Sequence, residues 1–204
     1  KALRHEAPGV AETAKRLGAS SQKDALAYVL KTVHLQHGGK LSLTRVLAGH
    51  LDDGATLQSS SGEAGRVSGI LAVSGAHDSK RPAAEAGDTV ALGKLDAIKT
   101  GDTLSSGKTA PSSLLKVEPA PPVLAMSLSS ADRKDDVKLG QALLKLNEED
   151  PSLTMIQNQR THDTVLWGQG EMHLRVALER LKDRFGVNVK SQPPAIGYLE
   201  TIRK

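Results

Sequence analysis

From residue 25 onward the apolar positions fall into short runs that partly alternate with polar ones, the period of a half-buried strand. Four such runs are ALAYVLKTV (25–33), KLSLTRVLAG (40–49), GRVSGILAV (65–73) and DTVALGKL (88–95). Turn-forming residues break them at His37-Gly38-Gly39, Asp52-Asp53-Gly54, Gly62 and Gly87-Asp88. Several short strands at this spacing predict a closed β-barrel over residues 23–118, since closure removes exposed strand edges. The cluster PAPP at 119–122 ends the pattern, because prolines continue neither element.

Beyond that cluster the period changes. PVLAMSLS (122–129) reads as a strand, and KDDVKLGQALLKLNEED (134–150) puts Leu139, Ala142, Leu143 and Leu146 on one helical face. SLTMIQNQ and DTVLWGQ read as two strands joined by the turn RTH. GEMHLRVALERLKDRFG (170–186) is a second amphipathic helix, with Leu174, Ala177, Leu178, Leu181 and Phe185 inward and Gly186 as its stop. VNVKS adds a last strand. The order β-α-β-β-α-β predicts an α+β, ferredoxin-like domain over 119–192. Residues 1–22 hold a short helix near Val10–Leu17 with too few apolar residues to fold alone. The two domains are expected to fold independently, with modest mutual contact and a bending hinge at 112–122.

Composition narrows the function classes. Hydrophobic residues make up 38% and suffice for two cores, but aromatics are 2%, so those cores are aliphatic. One Trp, two Tyr and one Phe equip the chain badly for stacking bases on rings. Absence of cysteine excludes disulfides and zinc–thiolate sites. No run of 18 apolar residues and no hydrophobic leader occur, which predicts a soluble, cytoplasmic protein without a membrane partner. The chain begins at Lys1 rather than Met, as an excised piece of a longer protein would. A net charge of +4 is compatible with touching RNA phosphates and decides nothing alone.

Three stretches invite a chemical reading. TGDTLSSGKT (100–109) ends like a phosphate-binding loop, but five residues separate Gly101 from Gly107 where four are needed. Prolines at 111 and 119 leave little room for the helix such a loop requires, and Asp102 would repel a phosphate. GQGEMH (168–173) fails as a dinucleotide fingerprint, since His173 stands where the third glycine belongs. Packing explains its glycines: they allow a tight turn before the helix, and Glu171 suits the first turn. The seven histidines form no metal-spaced pair, and no serine elbow is present. The acidic run NEED (147–150) sits at a helix C-terminus, an odd place for acids by the helix dipole, and is held for a partner or simply solvated. The residues carry no catalytic constellation, no metal site and no cofactor site.

GKLSLTRVLAGHLDDGATL (39–57), AGDTVALGKLDAIKTGDTLSS (86–106), KLGQALLKLNEEDPSL (138–153) and GQGEMHLRVALERLKDRFGVNV (168–189) resemble the second and third domains of the elongation factor G family. The similarity covers most of residues 25–200 in the family's order. It implies that TGDTL is a barrel turn, and that 1–22 is a remnant of an amino-terminal GTPase domain. It also implies that 193–204 begins a connection to a fourth domain. The chain would be a non-catalytic middle fragment; GTP and magnesium would be bound by the full-length parent, a GTPase. Its partners would be the ribosome (small-subunit RNA and protein) and the parent's own GTPase domain. Departures leave the paralogue open: Ser129-Ser130-Ala131 replaces a frequent Glu-Pro-Lys, and Gln169 a usual Met, so a ribosome recycling or protection factor remains an alternative. So does a self-contained phosphate- or nucleotide-binding enzyme.

Carried over by position, the resemblance assigns a face towards the GTPase domain, with a fusidic-acid-type pocket, to Pro122, Asp150, Pro151, Gly168, His173 and Arg180. His173 and Arg180 lie seven apart, on one helix face, and are expected to point away from the core and be accessible. Lys40, Arg45 and Arg66 are the expected contacts to ribosomal RNA phosphates.

Overall fold

The computed structural model describes residues 8–19, 24–35, 39–75, 77–132, 135–158 and 163–195. The turns expected at His37-Gly38 and at 160–162, and the ends 1–7 and 196–204, lie outside these. The chain divides into two compact units, Lys1–Val117 and Glu118–Lys204.

Among its described residues the first unit contains helix α1 (Val10–Arg16) and ten strands: β1 (Leu26–Leu35), β2 (Gly39–Ala48), β3 (His50–Asp52), β4 (Thr56–Ser59), β5 (Ala64–Arg66), β6 (Ile70–Ser74), β7 (His77–Arg81), β8 (Ala83–Glu85), β9 (Thr89–Gly93) and β10 (Thr103–Ser105). Eight strands form an antiparallel sheet in the order β5-β4-β10-β1-β2-β9-β6-β7, while β3 pairs with β8. The sheet curls around one aliphatic core that includes Val29, Val46, Leu57, Ile70, Leu92 and Leu104. β1 bulges between Val29 and Lys31, which leaves Leu30 exposed. α1 lies on the outside, where Ala14 and Leu17 pack with Leu26, Tyr28 and Leu47.

Two predicted strands are shorter than their apolar runs. GRVSGILAV splits into β5 and β6, because Gly69 takes a left-handed φ of 98°. The run 88–95 ends at Gly93, since Lys94 turns left-handed (φ 58°) and sends Leu95 and Ile98 back into the core. The phase of β2 is also inverted at its start. Lys40, Ser42 and Thr44 face inward, and Leu41, Leu43 and Arg45 face outward. Thr32 and Thr100 meet there through a hydroxyl–hydroxyl hydrogen bond, so this end of the barrel is lined with polar groups.

The second unit runs β11 (Leu124–Ser130), α2 (Asp136–Glu149), β12 (Thr154–Gln157), β13 (Thr164–Gly168), α3 (Glu171–Phe185) and β14 (Val189–Gln192). Its antiparallel sheet has the order β12-β13-β11-β14, the split βαβ arrangement. The helices bury the predicted faces: Leu139, Ala142, Leu143 and Leu146 from α2, and Leu174, Ala177 and Leu181 from α3. Each fully buried leucine stabilises the packing by about 1.5–3 kcal/mol. α3 stops at Gly186 (φ 64°), whose amide returns to Lys182 O while that of Val187 returns to Leu181 O.

Candidate functional site

The junction between β13 and α3 is a tight strand-to-helix turn. A Cβ on Gly168 would lie 2.9 Å from Leu174 Cδ2 and 3.2 Å from His173 Nδ1, so any larger residue would have to displace those two side chains. The Gln169 amide donates to His173 Nδ1 at 3.1 Å, which makes that nitrogen an acceptor. The proton of the neutral ring is then on Nε2, which donates to Asp150 Oδ2 at 3.0 Å. Asp150 follows directly on α2, and its other oxygen accepts the amide and hydroxyl of Ser152. Partial burial pushes the Asp150 carboxyl up. Hydrogen bonds from the Ser152 hydroxyl, the His173 ring and the Ser152 amide outweigh it and hold the group below its ordinary value.

His173 is therefore half-buried and bonded on both nitrogens within its own domain, not free at the surface as expected. The reason is the short turn, which presses the ring against Gln169 and the end of α2. Arg180, two turns on, is half-buried and has no hydrogen bond or ion pair among the described residues. Pro122 reaches the same junction, since its neighbour Val123 donates to Gly168 O at 2.8 Å. Pro151 is exposed beside Asp150. Val123, Met172 and Val176 are exposed apolar side chains around this junction that sequence reasoning missed. Met172, Val176 and Arg180 stand four residues apart, off the core stripe, and that spacing was the available signal.

NEED is largely used inside the domain. The Glu149 side chain is 3% exposed and is held by Arg184 at 2.7 and 3.0 Å, while Asp150 meets His173. The Arg184 guanidinium also lies over the Phe185 ring, 5.7 Å from its centre.

In the barrel, Lys40 is 5% exposed and gives its ammonium to Asp96 O at 2.8 Å. A phosphate contact there would require that bond to break, because the inward phase of β2 buries the side chain. Arg45 donates to Thr89 Oγ1 on the outer face. Arg66 is exposed, bonded to Gly54 O, and lines a cleft of about 600 Å³ with Asp53, Lys94 and Asp96. TGDTL is the turn into β10: Gly101 donates to Val29 O, and the Asp102 carboxylate accepts the Lys99 amide. No helix follows it before Leu124 among the described residues. The same residues contain no group of three or more His, Asp or Glu placed to hold a metal ion. No described helix is long and apolar enough to cross a membrane.

Comparison with known proteins connects these two units. Residues 119–193 match the family model "Elongation Factor G, domain III", and residues 39–105 match "Elongation factor Tu domain 2". The chain is 43% identical over 201 residues to an elongation factor G-like protein of Synechocystis sp., covering 98% of this chain and 29% of that one. The chain is a homologue of the middle domains of elongation factor G. It is also 39% identical over 170 residues to elongation factor G of Thermotoga neapolitana, covering 81% and 24%. A crystal structure of a Thermus thermophilus protein superposes with a TM-score of 0.80 at 31% identity, covering 96% of this chain and 28% of that one.

The chain thus spans less than a third of the length of the elongation factor G relatives it matches. Within that family frame, the barrel corresponds to the domain 2 model and the α+β unit to domain III. TGDTL falls inside the domain 2 match, so its resemblance to a phosphate loop is incidental to a barrel turn.

Proposed function

We propose that this chain is the middle section of a ribosomal translocase-type GTPase. In this reading it contributes ribosome contact and couples GTP hydrolysis, performed elsewhere in the protein, to movement during protein synthesis. The observation that carries the reading is the pair of collinear domain matches, residues 39–105 and 119–193. The β13–α3 junction faces the GTPase domain of the parent and forms one wall of a fusidic-acid-type pocket. Asp150 and His173 serve there as struts, because their polar atoms are engaged with each other. Met172 and Val176, exposed apolar side chains, and Arg180, with no hydrogen bond or ion pair among the described residues, supply the contact surface. Arg45 and Arg66 meet small-subunit RNA phosphates, whereas GTP and magnesium belong to the GTPase domain. The protein works in the cytoplasm.

Isothermal titration of the chain with GTP, GDP and ATP tests this. No binding at micromolar concentration is expected, and micromolar affinity would overturn it in favour of a self-contained nucleotide-binding enzyme. A second reading is a paralogue with a narrower ribosomal role, favoured by the 43% identity to a protein named elongation factor G-like. Full-length parent that turns over GTP on ribosomes yet fails to support translocation would select it.

A further inference from the structure

The four-stranded sheet of the second unit has its own helices on one side only. Alternation along the strands turns Met126, Met155, Leu166 and Val189 towards α2 and α3, where they join the aliphatic core. Ile156, Trp167, Lys190 and Gln192 therefore face the other way, with Ala125 and Ser127 between them. Register sets Trp167 between Thr154 and Ala125, so no bulky side chain crowds the ring from either neighbouring strand. Ile156 is 52% exposed, Lys190 and Gln192 are exposed, and Trp167 is half-buried. The Trp167 indole N–H, the Lys190 ammonium and the Gln192 amide have no hydrogen-bond or ion-pair partner among the described residues. None of the four strands carries a carboxylate.

We propose that this sheet face is a stacking platform for one unpaired base of ribosomal RNA, with the base on Trp167 and the phosphate backbone of the same strand at Lys190. The proposal deepens the ribosomal reading, on which its choice of RNA rests. A lone ring among small uncharged side chains, with a lysine and no carboxylate nearby, complements a flat base joined to an anionic backbone. The four-stranded sheets of RNA-recognition motifs stack bases on aromatic side chains in this way, and stacking on a ring tolerates any base. A protein partner is disfavoured, because Thr154, Ser127, Gln192 and Lys190 break up the apolar area that the centre of a protein interface needs. The scarcity of aromatics excludes a row of stacked bases but not a single one. Two strand spacings and four residues along β11 separate Trp167 from Lys190, so their Cα atoms are roughly 17 Å apart, with Gln192 on the way. A stretch of a few nucleotides spans that distance.

Trp167 is the only tryptophan, so its indole gives a single ¹⁵N–¹H side-chain signal. Titration of the chain with octauridylate should move that signal together with the backbone amides of Ile156 and Lys190. A blunt RNA duplex, whose bases are all paired, should leave the indole signal in place. Trp167→Leu should weaken the affinity read at the Lys190 amide about 5- to 150-fold, the span of one base–aromatic stack. Trp167→Phe keeps a ring and should lose less. Lys190→Gln should reduce the slope of log affinity against log salt by about 0.7, the share of one phosphate contact to a single strand, and Trp167→Leu should not change that slope. Should Trp167→Leu fail to fold, Ile156→Glu puts a carboxylate beside the ring at an exposed position and should weaken binding several-fold. In the full-length parent on ribosomes, an unpaired base should be protected from dimethyl sulfate or carbodiimide and become reactive again with Trp167→Leu. An indole signal unmoved by octauridylate, equal shifts with single strand and duplex, or an unchanged salt slope in Lys190→Gln would each overturn the inference. So would a parent that binds ribosomes but protects no base through Trp167, an outcome that leaves the ribosomal reading standing. A wild-type parent that does not bind ribosomes would overturn that reading and, with it, the RNA source named here.

Discussion

Arg184→Met isolates the ion pair that ties the last turn of α3 to the end of α2. Methionine keeps part of the aliphatic stem but removes the guanidinium that lies over Phe185 and pairs with the Glu149 carboxylate, which is 3% exposed. Removing one partner of a buried pair costs about 3–5 kcal/mol. The Arg184 side chain is 35% exposed, so solvent screening lowers the expected loss to about 2 kcal/mol. Single domains of this size are stable by only several kcal/mol, so the change is a large fraction of the total. Trp167 is the only tryptophan and lies on β13, so its fluorescence during urea titration reports the second unit alone. With a slope of about 1.3 kcal/mol/M, the midpoint should fall by about 1.5 M. Glu149→Leu combined with Arg184→Met should recover much of that loss, because it removes the buried carboxylate as well as the guanidinium. A fall of less than about 0.5 kcal/mol in the single variant, or a double variant no more stable than the single, would refute this account.

The depressed carboxyl of Asp150 contributes stability above the unfolded carboxylate range, and that contribution disappears as pH falls through the folded value. Below about pH 4 the urea midpoint of the wild type should therefore fall more steeply than that of Asp150→Asn, and parallel curves would count against it. His173→Ala strands the Gln169 amide and one Asp150 oxygen, so it should cost about 1 kcal/mol by the same titration. Arg180→Ala should stay within about 0.5 kcal/mol, and equal losses for the two would contradict the division between strut and contact. In the full-length parent, Arg180→Ala should slow ribosome-stimulated GTP turnover, measured by phosphate release; a wild-type rate would remove Arg180 from the contact surface.

Periodicity exposed those elements whose burial follows the period. α2 and α3 each bury one stripe, and β11 and β13 present alternate side chains to them, so pattern and packing agree. The barrel was legible in outline only. β7, with the sequence HDSKR, has no apolar residue, and its strand geometry comes from pairing with β6. Lys94 turns left-handed without being glycine, a state that no composition rule predicts for lysine. Lys40 misled for a related reason. A lysine opening an alternating run reads as solvent-facing, yet β2 turns its polar side inward here, because Asp96 O waits at the barrel end to accept the ammonium.

The acids of NEED show why the candidate site was harder to read than the fold. Acids at a helix C-terminus oppose its dipole, so a partner or water had to be present, and the sequence left both open. The partners stand 35 and 23 residues away, with Arg184 in the last turn of α3 and His173 in its first. No local spacing encodes those distances; they follow only after the β-α-β-β-α-β order has brought α2 and α3 together on one sheet. The same step sorts the residues assigned by resemblance. A side chain whose polar atoms are all engaged within its own domain can shape a binding face but has nothing left to offer a partner, which describes His173. Arg180, with no such engagement among the described residues, and its exposed neighbours Met172 and Val176 retain that capacity. Carry-over by position groups struts with contacts; accounting for each polar atom separates them.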